Sequence, residues 1–167
     1  MHRREALQRV AVILGGTVVG ADLFLTGCKT EGRKTSMTFA PEDTSYLDEI
    51  AETIIPTTDT PGAKAAEVGK FMTVYVNDCY DDNNQKVFHE GMTKLDDAST
   101  KKFNSGFMKL KAQQKHDLLV DLDKEQKDYQ KSKKKEDPVH YFRLMKELTL
   151  LGYFTSKIGA TQALRYI

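Results

Sequence analysis

The chain has 167 residues, 40% of them hydrophobic and 29% charged, with a formal net charge of +1. That is length enough for one domain with its own core, and too little charge imbalance to draw the chain to nucleic acid. Three basic and two acidic groups fall in the first 27 residues, so the rest is neutral, with 22 of each sign. Two cysteines, Cys28 and Cys79, are too few for a disulfide scaffold.

Residues 1–27 read as an export signal. Arg3, Arg4 and Arg9 make a basic start, followed by an apolar run that is too short and glycine-rich for a membrane span. Leu25-Thr26-Gly27-Cys28 resembles the lipobox of a bacterial lipoprotein, in which the chain is cut before the cysteine and its thiol acylated. Acyl chains buried in a bilayer would then hold the domain at a membrane surface. The alternatives are an ordinary secretory signal or a single-span anchor. Arg3-Arg4 with Leu7 also resembles a twin-arginine signal, although Ala6 and Gln8 stand where Phe and Lys are usual. A Sec signal remains the alternative. Residues 28–40 are polar and read as a lipidated, flexible tether.

Residues 41–167 read as all-α, a compact bundle of about five helices. Pro41-Glu42-Asp43 suits a first helical turn, and Leu47, Ile50, Ala51 and Ile54 recur at helical spacing. Residues 52–72 carry the densest local signal. Pro56 should end the first helix, because it lacks an N–H and biases Ile55 away from helical dihedrals. Thr60-Pro61 then reads as the cap and first position of a second helix. Pro56, Asp59, Pro61 and Gly62 would form a rigid elbow, with Asp59 accepting a turn hydrogen bond. Val68, Phe71, Met72, Tyr75, Val76 and Cys79 make one stripe, which predicts a buried Cys79 thiol.

Residues 77–84 form a polar break, read as a helix end and a capped restart; an EF-hand's glycine and closing glutamate are missing at the required spacing. Val87, Phe88, Met92 and Leu95 mark a third, shorter helix, and Leu118, Leu119 and Leu122 a fourth starting near Gln113. Residues 127–136 are charged without apolar period, a solvated helix end or, alternatively, a headgroup-binding patch. Asp137-Pro138 reads as the cap of a last helix. It is apolar almost all round, with Phe142, Leu148, Leu151 and Tyr153 among its large residues, so it is either central or shared with a partner. Gly152 would permit a close backbone approach.

Few residues suggest chemistry. His89, His116 and His140 stand on separate segments with no cysteine beside them, and no Cys-x-x-Cys-His or glycine-rich dinucleotide run occurs. His89 and His140 read as surface or cap residues, and Asp121, Asp123 and Glu125 as a solvated face. No catalytic, cofactor-binding or metal residue is expected.

Three stretches nevertheless resemble the small-subunit (subunit 3, gamma) family of gluconate 2-dehydrogenase. They are residues 51–72 with Ile-Ile-Pro and Thr-Asp-Thr-Pro-Gly-Ala, residues 107–123, and residues 141–166 with Lys-Glu-Leu-Thr-Leu-Leu-Gly-Tyr-Phe. The resemblance implies a non-catalytic accessory subunit bound to a larger flavin-dependent oxidoreductase of the glucose–methanol–choline type. FAD would lie on that partner and haem c on a possible third, cytochrome c subunit. The small subunit would assist export, folding or stability of the catalytic one, on the periplasmic side of the cell envelope. The elbow and last helix would shape the surface the partner recognises. The resemblance also implies a tail with Gly, Pro and Cys beyond Tyr166, a source of a partner thiol for Cys79. The runner-up reading is a stand-alone lipid-anchored scaffold protein, and the third a small enzyme acting on a sugar.

Overall fold

The first helix, α1 (Pro41–Ile54), begins without a capping side chain at Ala40. Asp43 compensates by reaching back to accept the Ala40 N–H at 2.8 Å, half of a capping box. Its Tyr46, Leu47, Ile50 and Ala51 are buried, at the spacing of one helical face. The helix stops where Pro56 requires, with Ile55 at φ −125° and ψ 84°. This computed structural model describes residues 38–166. The expected export signal (Arg3, Arg4, Leu7) and the lipidation site Cys28 lie outside the described residues.

Four more helices follow: α2 (Val68–Cys79), α3 (Asp82–Phe103), α4 (Ala112–Ser132) and α5 (Tyr141–Thr155). A short 3₁₀ turn (Phe107–Lys109) joins α3 to α4, and a π-helical turn (Gly159–Ala163) follows α5. The described residues contain no strand. The all-α expectation of about five helices therefore holds.

α5 is the central element, packing on α1, α2, α3 and α4. Phe142, Leu144, Met145, Leu148 and Tyr153 bury against the rest of the core. α1 and α5 run the same way. Tyr141 begins α5 beside Gly91 of α3, close to where Phe39 leads into α1 and packs on Phe88 and His89. At the other end, Tyr153 of α5 bonds the loop that follows α1.

Several expectations need correction. α2 starts at Val68, not at Pro61; residues 61–67 fold back on α1, and Glu67 enters the helix at φ 53°. The cap of α5 is His140, whose Nδ1 accepts the Phe142 N–H at 3.3 Å; Asp137 instead accepts the Lys134 N–H and closes a turn. α3 is long, at 22 residues, because its inner face continues past Leu95 through the small Ala98 and the polar Ser99. Ser99 is buried and donates to the Ser105 carbonyl at 2.7 Å. Cys79 is exposed, since the last turn of α2, residues 77–79, is exposed throughout. His89 is buried, because Phe39 covers it with ring centroids 4.3 Å apart. The polar break resolves as read: α2 ends and Asp81 caps α3 by accepting the Asn84 N–H at 2.8 Å.

Candidate functional site

The elbow between α1 and α2 is organised by Glu52, in the last turn of α1. Its Oε1 accepts from the Thr57 N–H at 2.9 Å and the Thr57 hydroxyl at 2.8 Å. Its Oε2 accepts the Lys64 N–H at 2.9 Å. Thr57 Oγ1 accepts in turn from the Gly62 N–H at 3.0 Å, and the Ala63 N–H donates to the Ile55 carbonyl at 3.0 Å. One carboxylate thus bridges both sides of the loop. Gly62 must be glycine here, because a Cβ would run into the Glu52 carboxylate and the Thr57 amide.

Asp59 does not play the part expected of it. It stands exposed near the tip, and among the described residues its side chain takes no hydrogen bond. Glu52 prevails because its backbone is already fixed by a helix, so its long side chain can serve several loop donors at once. Pro56 is exposed. Pro61 matters through its carbonyl, which accepts from the Tyr153 hydroxyl at 2.8 Å, tying the elbow to α5 across 92 residues.

Gly152 behaves as expected, since the Phe71 ring occupies the space a side chain would need. The other expected interface residues divide. Phe142, Leu148 and Tyr153 are buried against the chain's own helices, because α5 is the centre of the bundle. Leu151 is 40% exposed, as is Leu150, and Phe154 is 39% exposed. A helix apolar all round shows which residues are hydrophobic but not which side its neighbours leave open.

Beside α5, Phe71, Tyr75 and Tyr80 form a half-buried aromatic row, with centroids 5.5 and 5.6 Å apart. Burial, with a contribution from Glu147, pushes the Tyr80 phenol up to about 12. Burial likewise raises Tyr141. Both phenols therefore stay neutral over the physiological range.

Several charged groups hold helices together. Lys115 of α4, 10% exposed, meets Glu49 of α1 at 2.7 Å, and this hydrogen bond holds the Glu49 carboxyl below its ordinary range. Asp123 of α4 takes Lys146 of α5 at 2.6 Å and Lys127 at 2.7 Å. Burial raises Asp123, but bonds from Lys127, Lys146 and Gln126 outweigh it and hold the carboxyl at about 2. Asp123 is therefore a link between helices rather than part of a solvated face. Asp48 accepts the Gly69 N–H at 2.7 Å, and its burial raises it.

Open surface grooves of about 350, 320 and 220 Å³ lie between these helices. The first is lined by Glu49, Glu52 and Lys115, whose charged groups are already engaged, and by the exposed His116. Among the described residues no cluster of three or more His, Cys, Asp or Glu side chains could hold a metal ion. No described helix is long and apolar enough to cross a membrane.

The described residues thus form a small all-helical domain whose helices are linked by ion pairs. Over residues 41–167 the chain matches the family described as Gluconate 2-dehydrogenase subunit 3, and it belongs to that family. It is an accessory subunit of a dehydrogenase complex. No curated protein and no solved structure matched the chain.

Proposed function

We propose that this chain is the non-catalytic companion of a larger flavin-dependent dehydrogenase of the glucose–methanol–choline type. It acts in the cell envelope on the periplasmic side, and assists export, folding or stability of the catalytic subunit. The carrying observation is the pairing of family membership with side chains committed to structure. Glu49, Glu52, Lys115 and Asp123 are each bonded within the fold and frame no reacting centre. FAD belongs to the partner in this reading, with haem c on a third, cytochrome subunit, and the oxidised sugar or alcohol meets the partner rather than this chain. Cys28 supplies a lipid anchor, and Arg3 and Arg4 direct export with the folded partner in tow.

The test is co-expression of the full chain with a larger flavoprotein subunit of a gluconate 2-dehydrogenase complex from the same source. With this chain present, flavin-loaded partner should accumulate in the periplasm; without it, the partner should stay cytoplasmic or be degraded. Equal periplasmic yield of active flavoprotein in its absence would overturn the reading. Cys28→Ser should release the complex from membranes without reducing its flavin content.

A further inference from the structure

We infer that His140 is a pH-operated catch on the start of the central helix. With its ring neutral it caps α5. With its ring protonated the cap is lost, and the connection between α4 and α5 is left to its own local bonds. This goes beyond the accessory-subunit reading and does not depend on it.

The first amides of a helix have no partner within it and need one from outside. In α5 the Arg143 and Leu144 N–H groups donate to the His140 carbonyl at 3.0 and 3.3 Å, and the Phe142 N–H donates to His140 Nδ1 at 3.3 Å. An imidazole nitrogen accepts only while it carries no proton. The single proton of the neutral ring is therefore on Nε2, which faces Glu125 Oε1 at 3.5 Å. Cap and tautomer fix each other. The usual capping residues accept through an oxygen and have no such dependence on a ring proton.

A proton on Nδ1 turns the acceptor into a donor that points at the Phe142 N–H. It also places a positive charge at the positive end of the helix dipole. The surroundings do not restore what is lost. The His140 side chain is 9% exposed and packs on the rings of Tyr129 from α4 and Tyr141 from α5, with centroids 5.6 and 4.6 Å away. Lys94 of α3 lines the same groove and opposes a further positive charge, tempered by its pairing with Glu90 at 3.4 Å. The charged groups of the connection, residues 133–137, are mixed in sign and mostly exposed. Glu125 alone favours the charged ring. It is 63% exposed, and it already faces the Nε2–H of the neutral ring, so protonation strengthens a screened contact and supplies no new acceptor for Phe142. Beyond His140 the connection has only the exposed bonds from Tyr129 to Pro138 and from Lys134 to Asp137. The open groove of about 320 Å³ that His140 lines gives the charged ring a way out to water. Phe39 packs on Phe88 and His89 of α3, and Val87 of the same turn lines that groove. The loosening therefore falls at the end of the bundle where the N-terminal residues join it.

The experiment reads hydrogen exchange of the full chain over residues 133–144, at about pH 7.5 and about pH 5.5, corrected for the intrinsic effect of pH. Protection there should fall at least about threefold at the lower pH, while that of α2 holds. His140→Asn keeps a capping oxygen without a ring to titrate, and should abolish the difference. Unchanged protection in the wild-type chain overturns the inference, as does an equal loss in a folded His140→Asn variant. Should that variant fail to fold, NMR of the wild-type chain with labelled histidine decides. The ring should carry its proton on Nε2 at the higher pH, and the Phe142 amide resonance should move as the ring titrates. A ring protonated on Nδ1 at the higher pH, or a Phe142 amide indifferent to the titration, overturns the inference.

Discussion

The corner between α1 and α2 carries Pro56 and Pro61, and the connection between α4 and α5 carries Pro138, but the two are held differently. In the corner, Glu52 takes three donors from the loop, and Pro61 receives the Tyr153 hydroxyl from the far end of the chain. In the other connection the bonds are local. Tyr129 donates to the Pro138 carbonyl at 2.9 Å and Asp137 accepts from Lys134 at 2.7 Å; both are exposed, as the Glu52 bonds are, but neither is anchored on a core side chain such as Tyr153. Proline marks where a helix must stop in both places. The angle that follows is set by a carboxylate rooted in a helix and by a tyrosine in the core, and only the corner has those.

The contrast can be broken most strongly at Glu52. Glu52→Ala should cost about 2 kcal/mol in urea unfolding, because it removes three hydrogen bonds of the loop at once. Tyr153→Phe removes the single tie to α5 and should cost about 1–2 kcal/mol, leaving the Pro61 carbonyl without that partner. Glu67→Gly should raise stability by about 0.5–1 kcal/mol, since the residue sits at φ 53° where glycine is unstrained. Asp59→Ala and Pro138→Ala should each change stability by less than about 0.5 kcal/mol. A large loss from Asp59→Ala would mean that the tip of the elbow carries weight its exposure does not suggest.

A titration tests the tie between α4 and α5. The Asp123 carboxyl lies at about 2 in the folded chain against an ordinary 3.8. A depressed carboxylate contributes stability that is fully present above its unfolded value and lost as pH falls through the folded one. The contribution should therefore fade between about pH 4 and pH 2. Lys146→Met should flatten the dependence of Tm on pH in that window, leaving the part owed to Lys127.

Much of the fold could be read without coordinates. Helical spacing located Leu47, Ile50, Val68, Met72, Leu118 and Leu122 correctly in the core. Pro56 ended α1 where its missing N–H dictates. Local signals misled where a residue had two suitable roles. Thr60-Pro61 suits a helix start, but the bonds from Gly62, Ala63 and Lys64 back to α1 and its loop hold that segment out of a helix. Cys79 has the right period for burial, but burial also needs a neighbour, and α2 ends without one there.

The amino-acid sequence by itself determined the class of the domain, its helix count, its main core positions and its family. These follow from period, proline placement and motif, all of which are local. Tertiary structure alone decided that Glu52 rather than Asp59 builds the elbow, and that Phe142, Leu148 and Tyr153 are core while Leu150, Leu151 and Phe154 are surface. Those outcomes depend on which groups meet across dozens of residues. α5 is hydrophobic on every side, and only the placement of four other helices around it leaves one side open.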